Sequence, residues 1–101
     1  MLAEFSAFPV GKGESLSEYV AHSIKIIEES GMPFWVNPMG TVVEGEPEQV
    51  WALMAEVCAS MRREAPRVLM TIKIDDREGP LDRLERKVAS VEEKLGHALP
   101  G

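Results

Sequence analysis

The chain has 101 residues, of which 45% are hydrophobic and 28% are charged, and its formal net charge is −6. This length fits one domain with a modest core, and no apolar run approaches the roughly 20 residues that a membrane span requires. The negative charge opposes binding to phosphate backbones, and the sequence has no basic patch to overcome it. We therefore expect one soluble domain over residues 1–101 that binds neither nucleic acid nor membranes.

The first residues and the cysteine usage indicate a cytoplasmic protein. Glu4 stands where a signal peptide would carry basic residues, and no sustained apolar stretch accompanies it. The single cysteine, Cys58, cannot form an internal disulfide, which agrees with a reducing compartment. We expect its thiol to be buried and inert.

The first third of the chain predicts a strand followed by a helix. Apolar and polar residues alternate over residues 2–9, and the Gly11-Lys12-Gly13 loop follows. Ser15 and Glu18 have the spacing of a capping box, which satisfies free amide groups at a helix start. Apolar residues then recur at helical spacing as far as Ser30-Gly31, where glycine permits the turn that ends a helix.

A tight hairpin is predicted next. Residues 32–36 and 41–44 are two short apolar strands, and the turn Asn37-Pro38-Met39-Gly40 joins them. We expect Asn37, Thr41 and Glu44 to cluster at the mouth of this hairpin.

The second half repeats the helix and strand. Pro47 suits a first helical position and Pro66 ends the helix, while residues 67–75 alternate as a fourth strand. A terminal helix begins at Gly79-Pro80, and its apolar seam packs either on its own sheet or against another subunit. The buried stripe predicted for the second helix is Val50, Met54, Val57 and Met61, with Trp51 also assigned to the core, and the seam of the terminal helix is Leu81, Leu84, Val88, Val91 and Leu95.

This order predicts an α+β, ferredoxin-like βαββαβ sandwich: a four-stranded antiparallel sheet with two helices on one face, plus a C-terminal helix. The other face of the sheet is then left open. Its mixture of apolar and ionisable side chains is typical of a subunit interface around a polar pocket, so we expect an oligomer. The residues assigned to this open face are Glu4, Ser6, Phe8, Leu69, Thr71 and Lys73, with Glu44 as a further candidate.

No catalytic or metal-binding motif stands out. His22 and His97 lack carboxylate or cysteine partners at ligand spacing, and we expect both to be surface residues and no metal site. The serines lack the glycine context of an exposed nucleophile. Asp75-Asp76 is typical of a solvated loop, although acid–base chemistry by a carboxylate stays open as an alternative.

Five segments carry a resemblance to a known family: Phe8-Pro9-Val10-Gly11, Ser17-Glu18-Tyr19-Val20, Asn37-Pro38-Met39-Gly40-Thr41-Val42-Val43-Glu44-Gly45, Ile72-Lys73-Ile74-Asp75-Asp76-Arg77 and Lys87-Val88-Ala89-Ser90-Val91-Glu92-Glu93-Lys94-Leu95. Together they resemble the small thiamine-binding protein family over nearly the whole chain. The resemblance implies a ferredoxin-like subunit, assembled into dimers and then tetramers, that binds thiamine or a related aminopyrimidine without known catalysis and with no cofactor.

Thiamine carries a flat aminopyrimidine and a cationic thiazolium, so its site needs stacking surface, a carboxylate and amide or hydroxyl groups. We expect Glu44 to accept from the amino group or offset the cation, and Asn37 and Thr41 to bond the pyrimidine edge. The alternative for Glu44 is a structural pair with Lys73, whose ammonium would otherwise repel the thiazolium. The predicted ligand-binding residues are Ser6, Phe8, Asn37, Met39, Gly40, Thr41 and Glu44.

Within this set, Ser6 is assigned to the floor of the site, and Phe8 or Met39, or else Trp35, to the surface against a ring. Gly40 is more easily explained by the turn than by the ligand. An oligomeric interaction module without a small ligand remains the alternative function, since the fold alone does not decide.

Overall fold

The structure is a computed structural model that describes residues 1–11, 16–80 and 83–98. All the predicted elements are present in the predicted order. Ser15, the Lys12-Gly13 part of the loop and Leu81 lie outside the described residues. The elements are β1 (Leu2–Val10), α1 (Leu16–Ser30), β2 (Phe34–Asn37), β3 (Gly40–Glu44), α2 (Pro47–Arg62), β4 (Arg67–Asp75) and α3 (Arg83–Leu95).

The helix boundaries follow local chemistry. Gly31 ends α1 with a φ of 77°, a left-handed conformation that glycine adopts without steric cost. Pro47 is the first residue of α2, and the backbone N–H of Glu46 donates to the Gln49 side-chain oxygen at 3.0 Å. Both ends were predictable because they depend only on neighbouring residues.

The four strands form one antiparallel sheet in the order β2-β3-β1-β4. With α1 and α2 as the connections, this is the ferredoxin-like fold that the sequence predicts. The register sets two faces. One row of cross-strand partners is Phe34, Val43, Ala3 and Ile74, and the next is Trp35, Val42, Glu4 and Lys73.

The first of these rows faces α1 and α2, and the core lies between them. The predicted stripe of α2 is confirmed, because Val50, Met54, Val57 and Met61 are all buried. Two assignments on the same helix are wrong: Trp51 is 50% exposed and Cys58 is only partly buried. Each follows a fully buried valine, and one residue turns the helix by about 100°, which takes these side chains off the buried stripe.

The second row lies on the open face, as predicted. Cross-strand partners there are Glu4 with Lys73, Ser6 with Thr71, and Phe8 with Leu69. Phe8, Trp35 and Leu69 are large apolar side chains that remain exposed on this face.

The terminal helix α3 contacts β3. In its seam, Val91 and Leu95 are about half exposed, while the side chains of Leu84 and Val88 lie outside the described residues. The helix thus contacts its own sheet and leaves Val91 and Leu95 accessible to solvent. Among the described residues, no helix has the length and hydropathy to cross a membrane.

Candidate functional site

A cavity of about 170 Å³ opens between helix α1 and the β2–β3 hairpin. We call it the hairpin cavity. Strand β1 forms its back, α1 one side and the hairpin turn the other. Its wall is mainly apolar, and three polar side chains interrupt that wall. The apolar side chains are Phe5, Ala7, Val20, Ile24, Val36 and Met39, and the polar ones are Ser23, Asn37 and Thr41; Ser6 borders the cavity from β1, with its side chain on the open face.

Close packing of the hairpin against β1 shapes this cavity. A Cβ atom on Gly40 would lie 2.8 Å from the backbone carbonyl oxygen of Phe5, which is closer than real contacts allow. Thr41 is the register partner of Phe5, so its side chain points to the helix face and into the cavity. Gly40 is therefore explained by packing, and it is what allows Thr41 to take this place.

The Thr41 hydroxyl is the most informative group in the cavity. Thr41 is only 8% exposed, and within the part of the chain that the structure describes its hydroxyl makes no hydrogen bond. Buried polar groups in native proteins are nearly always hydrogen-bonded, and an exception calls for an explanation such as a bound molecule. A ligand with a donor or an acceptor would satisfy this hydroxyl.

The Asn37 side chain uses its oxygen, but not its NH₂ group, in a hydrogen bond within the turn. Its Oδ1 accepts a hydrogen bond from the Met39 backbone N–H at 3.0 Å, as in an Asx turn. This bond fixes which end of the amide is oxygen. The amide NH₂ remains as the donor that Asn37 can offer to a ligand.

Ser23 is a polar lining residue that the sequence analysis missed. It is 7% exposed, and its hydroxyl donates to the Tyr19 backbone carbonyl at 3.0 Å. A sequence signal existed: Ser23 lies three residues after Val20 and four before Ile27, so it places a hydroxyl in the apolar stripe of α1.

The described lining of the hairpin cavity contains no charged residue. No group of three or more histidine, cysteine or acidic residues that could hold a metal ion occurs in the described ranges. His22 and His97 are exposed, as predicted. The cavity thus suits a neutral ring with hydrogen-bonding edges.

Five of the seven predicted ligand-binding residues line this cavity, and two do not. Phe8 lies on the open face, paired with Leu69. Glu44 lies at the other end of β3, about 13 Å from Gly40 at a strand's rise of about 3.3 Å per residue. The expected cluster of Asn37, Thr41 and Glu44 at the hairpin mouth is therefore wrong for Glu44. The five that line the cavity are Ser6, Asn37, Met39, Gly40 and Thr41.

Glu44 is 3% exposed and already has an intramolecular interaction partner. Its register neighbour on β1 is Leu2, whereas Lys73 lies opposite Glu4. Strand β1 separates Glu44 from β4, so Glu44 and Lys73, the structural pair considered as the alternative to a ligand role, are not cross-strand neighbours.

A second, larger cavity of about 400 Å³ lies on the open face. We call it the open-face cavity. Its described lining combines three apolar residues with Glu4, Lys73 and Asp75. Both Glu4 and Lys73 are exposed to solvent.

Comparison with known proteins identifies the family of this chain. The model of the family described as "Thiamine-binding protein" matches residues 3–92. The chain belongs to this thiamine-binding protein family. It is 38% identical over 96 residues to the UPF0045 protein Mb1933 of Mycobacterium bovis, with 94% of each chain covered.

Two crystal structures of relatives share the fold. Protein MJ1052 of Methanocaldococcus jannaschii superposes with a TM-score of 0.82 at 33% identity, over 91% of this chain and 95% of that one. TM0486 of Thermotoga maritima, whose assignment to thiamine biosynthesis or salvage is itself provisional, gives a TM-score of 0.78 at 27% identity, over 89% and 96%.

Proposed function

We propose that this protein binds thiamine or a related aminopyrimidine in the hairpin cavity, and that it does so without catalysis. The observation that carries the proposal is the buried Thr41 hydroxyl, which lies in an uncharged cavity and has no hydrogen-bond partner among the described residues. Membership of the thiamine-binding protein family supplies the class of ligand.

The volume of the cavity limits what enters it. Pockets for drug-sized ligands measure about 300–1,000 Å³, and the hairpin cavity at about 170 Å³ is smaller. It has room for one ring. The aminopyrimidine is the half of thiamine that carries hydrogen-bond donors and acceptors, so it matches Thr41, Asn37 and Ser23.

The thiazolium half then lies outside the cavity. No charged residue in the described lining would offset its positive charge. The roles predicted for Glu44 and Phe8 as ligand contacts stay predictions, and the register puts both residues on the face of the sheet opposite to the hairpin cavity.

We also propose that the protein works as a homo-oligomer, with a dimer of dimers as the expected form. Phe8, Trp35 and Leu69 expose apolar surface on the open face, and Val91 and Leu95 do so on α3. Several large apolar side chains left exposed on one side of a domain are typical of an interaction site. The molecular mass in solution tests the assembly separately from ligand binding.

Isothermal titration with thiamine tests the binding proposal. The protein is unfolded and refolded first, so that no ligand from the cell is retained. The Thr41→Val variant keeps the shape of the side chain and removes the hydroxyl, and we expect at least about a ten-fold loss of affinity, since one hydrogen bond to a buried group is worth about that much.

The matched control is Thr71→Val, which makes the same change at an exposed position on the open face. Its affinity should equal that of the unchanged protein. Equal affinity in the Thr41→Val variant would remove the hairpin cavity as the site. If the unchanged protein does not bind thiamine or the free aminopyrimidine, an interaction module becomes the better account.

A further inference from the structure

The hydroxyl of Ser23 has a fixed hydrogen-bonding role. Its partner at 3.0 Å is the Tyr19 backbone carbonyl, which can only accept, so Ser23 must donate. Only the lone pairs of the Ser23 oxygen are left for a molecule in the cavity. Turning the hydroxyl towards a ligand carbonyl would break this bond inside a site that is shielded from water.

Asn37 has the opposite role in the same cavity. Its Oδ1 is occupied by the Met39 N–H, so its amide NH₂ is the group left to donate. The cavity therefore presents one fixed acceptor, Ser23, and one fixed donor, Asn37. Thr41 adapts, because its hydroxyl both donates and accepts and is not engaged elsewhere in the described structure.

We infer that Ser23 is a specificity-determining residue, which accepts from the exocyclic amino group of a 4-aminopyrimidine and selects it against the 4-oxo analogue. The inference rests on the proposed function. In a 4-aminopyrimidine, the amino group donates and the adjacent ring nitrogen accepts. In the 4-oxo analogue both roles are reversed, because the exocyclic oxygen accepts and the ring N–H donates.

The small volume of the cavity prevents the 4-oxo analogue from relieving this hydrogen-bond mismatch by turning its ring over. A ring that turned over would exchange its donor and acceptor positions, but it would also carry the substituent at C5 to the other side. In thiamine that substituent bears the thiazolium, which must leave through the opening because the cavity of about 170 Å³ holds one ring. The ring is therefore held in one orientation, and the 4-oxo form places two acceptors against each other at Ser23.

Thiamine and oxythiamine form the matched ligand pair for the test, because they differ only in the amino or oxo group at this position. Titration calorimetry on the unchanged protein should give at least about ten-fold tighter binding of thiamine, the value of about one buried hydrogen bond. In Ser23→Ala the ratio of the two affinities should fall towards one, chiefly through weaker binding of thiamine.

The control is Ser60→Ala, since Ser60 is also 7% exposed but lies on α2, away from the described lining of the cavity. Ser60→Ala should leave the ratio of the thiamine and oxythiamine affinities unchanged. A general loss of stability would weaken the binding of both ligands alike and would not alter this ratio. Equal binding of the two ligands by the unchanged protein, or a ratio unaffected by Ser23→Ala, would overturn the role of Ser23 alone. Binding of neither ligand by the unchanged protein would overturn the proposed function, and this inference with it.

Discussion

The hairpin cavity and the open-face cavity lie on opposite faces of the same sheet and differ in almost every property. The open-face cavity is larger, at about 400 Å³ against about 170 Å³, and carries charged side chains. The hairpin cavity is uncharged in its described lining, but two of its hydroxyl-bearing residues, Ser23 and Thr41, are more than nine-tenths buried.

Volume is therefore a poor guide to a binding site in so small a domain. The exposed Glu4 and Lys73 are solvated whether or not a ligand is present, so nothing in the open-face cavity requires one. Thr41 differs, because it is only 8% exposed and no described residue bonds its hydroxyl. A buried hydroxyl without a hydrogen-bond partner among the described residues is stronger evidence for a binding site than a large cavity volume.

We expect the largest effect on the free energy of unfolding from substitutions at two neighbouring residues of β3, one on each face of the sheet. Val43 is fully buried against the helices, and Val42 lies half-buried on the open face. Val43→Ala should lower the free energy of unfolding by about 2 kcal/mol, because it leaves a cavity in the core. Val42→Ala should cost less than about 1 kcal/mol, as most partly exposed substitutions do. Urea unfolding measures both, and equal losses would contradict the assignment of faces.

Gly40→Ala should disturb the hairpin cavity but not the open-face cavity. Its new Cβ would meet the Phe5 carbonyl oxygen at 2.8 Å, so either the hairpin or β1 must shift. We expect a loss of about 1–3 kcal/mol in the free energy of unfolding, together with weaker thiamine binding.

Met39→Ala is the control for this change, since Met39 occupies the same turn but is 87% exposed. It should alter stability by less than about 0.5 kcal/mol. Unchanged stability in Gly40→Ala would show that the turn tolerates a side chain and that close packing does not explain the glycine.

Removing charge from the open-face cavity should leave ligand binding unchanged. In Glu4→Gln and in Lys73→Gln we expect thiamine affinities within about two-fold of the unchanged protein, a difference below about 0.5 kcal/mol. A ten-fold loss in either variant would move the ligand from the hairpin cavity to the open face.

Glu44→Gln tests the remaining carboxylate. Glu44 is about 13 Å along β3 from the hairpin turn at a rise of about 3.3 Å per residue, so we expect a smaller effect on thiamine affinity than that of Thr41→Val. A loss as large as that of Thr41→Val would restore Glu44 as a ligand contact. The molecular mass in solution, measured in parallel, separates this outcome from a change in assembly.

The smallest expected effect is that of salt. Raising the ionic strength from about 0.1 M to 1 M shortens the Debye length from about 10 Å to about 3 Å and screens exposed charges. Because the hairpin cavity is uncharged in its described lining, thiamine affinity should fall by less than about three-fold over this range. A steep fall would indicate that the charges of the open face hold the cation.

Local patterns in the sequence were enough to predict the order of the elements and the two faces of the sheet. Alternation over residues 67–75 placed Leu69, Thr71 and Lys73 on the open face, where the register confirms them. The same local logic failed at Trp51, because an apolar residue beside a buried stripe is not necessarily part of it. The hairpin itself was predicted from its turn residues, and four of the five predicted residues that line the cavity came with it.

Local patterns specify whether each segment becomes a strand, a helix or a turn, since strand alternation, caps and glycine or proline turns depend on residues a few positions apart. Which distant groups meet depends instead on how the elements pack. Ser23 and Thr41 belong to different elements, and they share a cavity because of how α1 docks on the sheet and how β3 is registered against β1. Neither the docking of α1 nor the strand register can be predicted from a local pattern. For this reason Ser23 was missed as a lining residue, and Glu44 was wrongly expected at the hairpin mouth.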